Sequence, residues 1–174
     1  MRRLLSLLLI PLHLHAQSFW QDKLARDLPL LGHRDWIVVA DAAYPLKNSP
    51  GLEVVATGLN QPDLLAAVLK SLASARHLRP VFFTDSELPF VPDQDANGIS
   101  SYRAQLAVLL KGGETASLPQ AQIEAKVEDA SRAYHVLVLK SATTLPYTAV
   151  YIDLVPSYWS TDAEKRLRAA MQPR

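Results

Sequence analysis

The chain of 174 residues contains no cysteine, which removes disulfides, thiol nucleophiles and cysteine metal sites from consideration and says nothing about compartment. It also lacks any run of like charge. Its 18 basic and 17 acidic side chains are interspersed and leave a formal net charge of +1, so the electrostatic footprint of a nucleic-acid binder is missing. There is neither a Gly-rich phosphate loop nor a Gly-x-Ser-x-Gly elbow, and nucleotide-dependent or serine-hydrolase chemistry has no support. No internal repeat or low-complexity segment is present. What is there is 49% hydrophobic and 20% charged, the composition of one compact domain with a sizeable core.

The first residues, MRRLLSLLLIPLHLHAQSFW, read as a leader. Arg2 and Arg3 give a positive start, Leu4 to Leu14 an apolar stretch, and Ala16 a small residue before the cut, so a signal peptide over residues 1–16 and a periplasmic or secreted product are expected. The alternative is an amphipathic N-terminal helix that stays on the protein. The apolar run falls far short of the ~20 residues that span a bilayer, and no cysteine follows for lipidation, so no permanent membrane anchor is expected.

Beyond the leader, apolar spacing predicts a helix over 18–31 that Pro29 should end early. Trp36 to Ala40 is a continuous apolar run suited to a strand buried on both faces. A loop, PLKNSPG, precedes a second short strand over 52–56, and the NQPD stretch at 60–63 opens a helix with an Asn cap and proline in its first turn. A strand over 81–83, a helix over 99–110, a loop through KGGETASLPQ, a polar helix over 120–133 and strands over 135–139 and 148–154 follow. A C-terminal helix capped by Ser160 or Thr161 completes the chain. This alternation predicts an α/β fold, a three-layer α/β/α sandwich with a mixed central sheet, over residues 17–174.

The chemistry gathers in GHRDWIVVADAAYP, residues 32–45. Side chains two apart share a face of an extended chain, so His33 and Asp35 can stand side by side, the carboxylate raising the basicity of the imidazole and fixing its tautomer. Asp41 lies at the far end of the same strand, where open α/β sheets form ligand crevices. The bland reading of the same residues is a helix-terminal histidine, a surface charge and a turn former. His33, Asp35 and Asp41 are also metal-ligand types, but nothing in their spacing enforces a metal site. His77 near a helix end and His135 at a strand start suit structural roles. Trp20, Trp36 and Trp159 are expected in core or interface.

Gly32, His33, Asp35, Ile37, Val38, Asp41, Ala42 and Pro45 together reproduce the pattern G-H-x-D-x-[IL]-V-x-x-D-A-x-x-P. It closely resembles the N-terminal signature of the D-ribose pyranase and L-fucose mutarotase family. The resemblance continues through LEVVATG and returns at LPYTAVYIDL, which looks like the family's closing Tyr-x-Asn strand. It implies a cofactor-independent isomerase that interconverts ring forms or anomers of a free monosaccharide, in a ring-shaped homo-oligomer with sites between subunits. By the same resemblance His33 is the catalytic histidine and Asp35 the acid beside it, while Asp41 and Tyr147 bind sugar. Ala149 replaces the family's Asn, removing an amide able to donate and accept, and a basic sugar contact before the penultimate strand has no match; Lys126 is nearby but is not assigned. A non-catalytic exported sugar-binding or assembly module of the same fold is the alternative.

Overall fold

Five aromatic or aliphatic residues, Trp36–Ala40, form the strand β1, and all five are buried. In the computed structural model, which describes residues 13–172, β1 lies inside a six-stranded sheet of order β2-β5-β1-β6-β3-β4. The strands are β2 (Leu52–Ala56), β3 (Leu78–Asp85), β4 (Glu114–Leu118), β5 (Val136–Lys140) and β6 (Val150–Pro156). β5 pairs parallel with β1 and β2, and β4 parallel with β3, while β6 runs antiparallel between β1 and β3. The sheet is therefore mixed, with one reversed strand near its middle.

The two-residue period of β1 divides the core into two layers. Ile37 and Val39 pack with Leu137, Leu139 and Ile152 under the helices α1 (His13–Asp27), α2 (Gln61–Leu72) and α3 (Ile99–Leu109). Trp36, Val38 and Ala40 face the other way, with Val138 and Tyr151 under Ile123 and Val127 of α4 (Gln120–Ser131). The result is the three-layer α/β/α arrangement, and α5 (Thr161–Ala170) follows β6.

Local signals set the helix limits. Asn60 caps α2 by accepting from the Asp63 N–H at 3.0 Å, and Ser160 caps α5 through Ala163 N–H at 3.1 Å, as such side chains do for unpaired first-turn donors. α1 stops two residues before Pro29. It places Trp20 and Leu24 in the core, with Leu28 just beyond its end, and holds edge strand β2 through Lys23, whose Nζ lies 2.6 Å from Asp27 and 2.7 Å from Glu53. Residues 1–12 of the expected leader lie outside the described residues; α1 itself runs through the expected cut after Ala16. No helix among the described residues is long and apolar enough to cross a membrane.

Two elements differ from the sequence expectation. Glu114–Leu118 is a strand where a loop was expected, because it is an edge strand with mostly exposed, polar side chains, which gives no hydrophobic alternation to read. β3 begins at Leu78 and passes through Pro80. Proline lacks the ladder donor, but β4 pairs only from Val81 onward, so at Pro80 the strand has a partner on one side alone and no hydrogen bond is lost.

Candidate functional site

The turn that leads α1 into β1 is built to expose a histidine. Asp35 accepts the Gly32 N–H at 2.7 Å with one carboxylate oxygen and the His135 N–H at 2.8 Å with the other. Arg34 adopts φ +77°, a left-handed conformation unusual for a residue with a Cβ. It is held there by its N–H to the Leu154 carbonyl at 3.0 Å and by its guanidinium, which bonds the Tyr134 hydroxyl at 2.8 Å and sits 5.6 Å over that ring. His33 is exposed at the apex. Asp35 therefore fixes His33 through the backbone of the turn, with both of its oxygens occupied by backbone donors.

The carboxyl group that faces His33 comes from β6. Asp153 pairs in register with Trp36 and is half-buried. Burial pushes its pKa up to about 6 against the pull of His33, Lys126 and Arg34. His33 and Asp153 line one groove of about 600 Å³ together with Val155 and residues of the α5 segment.

Asp41 and Tyr147 stand at the other end of the sheet. The Asp41 Oδ1 accepts from Ala43 N–H at 2.7 Å, and the residue lines a cavity of about 430 Å³ with Leu145 and Pro146. Tyr147, with φ +56°, is exposed. The loop before it hangs on fully buried Gln61, whose amide donates to the Thr148 carbonyl and accepts from Ser141 and Thr148 hydroxyls at 3.2 Å each. Tyr102 adds a bond to the same carbonyl at 2.5 Å. Close by, Asp85 is 1% exposed with neither carboxylate oxygen hydrogen-bonded. Its pKa is pushed up to about 7 by burial and by Glu87, Glu124 and Asp41. Glu124 is taken up by Lys47 and by the Tyr151 hydroxyl.

The five residues of β1 separate these ends by roughly 15 Å. Within one chain the structure brings His33 and Asp35 together at one end and Asp41 and Tyr147 at the other. Asp153 was missed from the sequence, where its only signal is a lone carboxylate in the apolar run VYIDLV. Asp85 and Gln61 were missed because nothing local marks the end of β3 or the helix start as buried polar positions. Among the described residues, the group that brings three metal-ligand atoms within 4.8 Å of one another is Asp27, Glu53 and His135, and Lys23 already places its ammonium between the two carboxylates. His77 bonds the Leu31 carbonyl at 3.1 Å, a structural role.

The model of the RbsD / FucU transport protein family matches residues 16–153. Among solved structures, RbsD of Bacillus subtilis complexed with D-ribose is similar at 18% identity and a TM-score of 0.56, over 76% of this chain and 91% of that one. FucU of Bifidobacterium longum is similar at 20% identity and a TM-score of 0.53, over 77% and 94%. The fucose mutarotase of Streptococcus pneumoniae in complex with L-fucose is similar at 22% identity and a TM-score of 0.52, over 86% and 98%. A search of curated protein sequences returns no match.

Proposed function

The chain belongs to the RbsD / FucU transport protein family, and from that premise we propose that it interconverts the anomers or ring forms of a free monosaccharide by general acid/base catalysis without a cofactor. The relatives crystallised with D-ribose and L-fucose support the substrate class. The observation that carries the reading is the exposed His33 imidazole sharing a groove with the half-buried Asp153 carboxyl.

Opening a hemiacetal needs one proton removed and one supplied. The Asp153 carboxylate takes the proton of the anomeric hydroxyl as the bond from C1 to the ring oxygen breaks, and protonated His33 delivers its proton to that oxygen. Rotation about C1–C2 and the reverse transfers close the other anomer and restore both groups; closure by a different hydroxyl changes the ring size. A carboxyl with a pKa near 6 is a stronger base than an ordinary aspartate and still ionises near neutrality, the compromise that favours general catalysis.

Asp41 and Tyr147 hold sugar hydroxyls in this reading. Because they stand at the far end of β1, they come from a neighbouring copy, and the catalytic centre is shared across an interface of a homo-oligomer. Asp85 follows Thr84, which pairs with Val150, so it stands one ladder step on, opposite Ala149. It places a buried carboxyl beside the position where the family's amide is missing. Exchange NMR on a panel of pentoses and hexoses tests the proposal. We expect accelerated anomer exchange that falls at least about 100-fold in His33→Ala; line broadening from binding, with exchange no faster than spontaneous, would overturn it in favour of a binding module.

A further inference from the structure

The family match ends at residue 153, and the chain continues through the rest of β6 into α5. That continuation forms one wall of the His33 groove. Tyr158, Trp159, Ser160, Glu164 and Arg168 all line it together with His33 and Asp153. The wall is ordered by side-chain bonds. The Trp159 indole Nε1 donates to Glu164 Oε2 at 2.8 Å, and Arg168 Nε donates to Glu164 Oε1 at 2.7 Å. Trp159 remains 43% exposed, so its donor edge is tied to the helix while much of the ring is left open. An aromatic ring with a fixed polar edge and an open face is suited to lie against the apolar face of a pyranose.

Two of the three arginines along the groove are paired with carboxylates, and the third, Arg34, is held by the Tyr134 hydroxyl. Arg79 pairs with Glu114 at 2.5 Å and Arg168 with Glu164, so the lining offers hydrogen-bond donors and acceptors to a neutral polyol rather than a field for an ionic ligand. The groove of about 600 Å³ lies within the range of pockets that hold ligands larger than a single sugar ring. Beside the position that His33 and Asp153 define for a hemiacetal there is room for a second ring against Trp159.

We infer that the α5 segment adds a second sugar subsite, so that the substrate class extends to reducing disaccharides and short oligosaccharides, whose terminal hemiacetal meets His33 and Asp153 while the adjoining ring stacks on Trp159. This rests on the mutarotase reading of the same groove. Anomer exchange is compared by NMR for cellobiose, maltose and lactose against glucose and galactose, using the full chain and the variants W159A and W159F. The expected result is acceleration of at least one disaccharide, with the ratio of disaccharide to monosaccharide acceleration falling about tenfold in W159A, the size of a lost ring contact, and largely kept in W159F. Titration of that disaccharide into the full chain is expected to change tryptophan fluorescence, and to change it much less in W159F. Acceleration of monosaccharides alone, or an unchanged ratio in W159A, would overturn the second subsite and leave the mutarotase reading standing. Failure to accelerate any sugar would sink both.

Discussion

Asp153 lies next to Ile152 and Leu154, both fully buried, yet its own side chain lines the groove with His33, and this compromise fixes a pH dependence. If its carboxylate is the base, the catalysed rate rises with pH through about 6, and Asp153→Asn loses that limb together with most of the acceleration, measurable by exchange NMR between pH 4.5 and 8. Asp85 makes the opposite kind of prediction, about stability. Its native pKa of about 7 stands above the ordinary 3.8, so between those values the native state binds more protons than the unfolded one. Stability contributed by this group is therefore present below about pH 4 and lost as pH rises through 7. Asp85→Asn removes the buried charge and is expected to raise stability at pH 8 by about 2 kcal/mol, flattening the fall between pH 4 and 7 in thermal or urea unfolding. An unchanged slope would show that Asp85 is not the group responsible.

At the scale of elements, the central strands and capped helices were legible because burial and periodicity agree there. Trp36–Ala40 reads as a buried strand and is one, and Asn60 and Ser160 cap the helices their positions suggest. β4 was invisible since an edge strand of polar residues obeys pairing rather than hydrophobic pattern. The candidate site was legible only in its local part. The spacing of His33, Asp35 and Asp41 is written in one segment, whereas the partnership of His33 with Asp153 depends on an antiparallel pairing over more than a hundred residues of sequence. The loop between β1 and β2 carries a sharper test. A Cβ at Gly51 would lie 2.1 Å from the Tyr134 carbonyl oxygen and 2.6 Å from that of Ser131, backbone atoms held by the 51–136 and 51–131 hydrogen bonds. Gly51→Ala is expected to cost about 1–3 kcal/mol, seen as a lowered urea midpoint at unchanged m-value.

At the scale of the whole molecule, the proposed mechanism draws on the separation of His33 from Asp41 along β1 and requires two copies to complete one site. If one copy supplies His33 with Asp153 and its neighbour Asp41 with Tyr147, homo-oligomers of His33→Ala and of Asp41→Ala are both inactive. Mixed by co-refolding or subunit exchange, they regain a fraction of the wild-type acceleration, up to about a quarter for random pairing at each two-copy interface. Recovery no greater than the sum of the separate variants would place all four residues in one chain's site, or remove Asp41 from it.

The reversed direction of β6 decides where the chain finishes. Its last residues emerge on the same side of the sheet as the turn bearing His33, whereas a sixth strand parallel to the others would have released them beside Asp41. The helix that follows β6 directly is thereby delivered to the His33 end of the sheet, where its Glu164 and Arg168 enter the groove lining, and a chain with the strand direction restored would have lost that lining altogether.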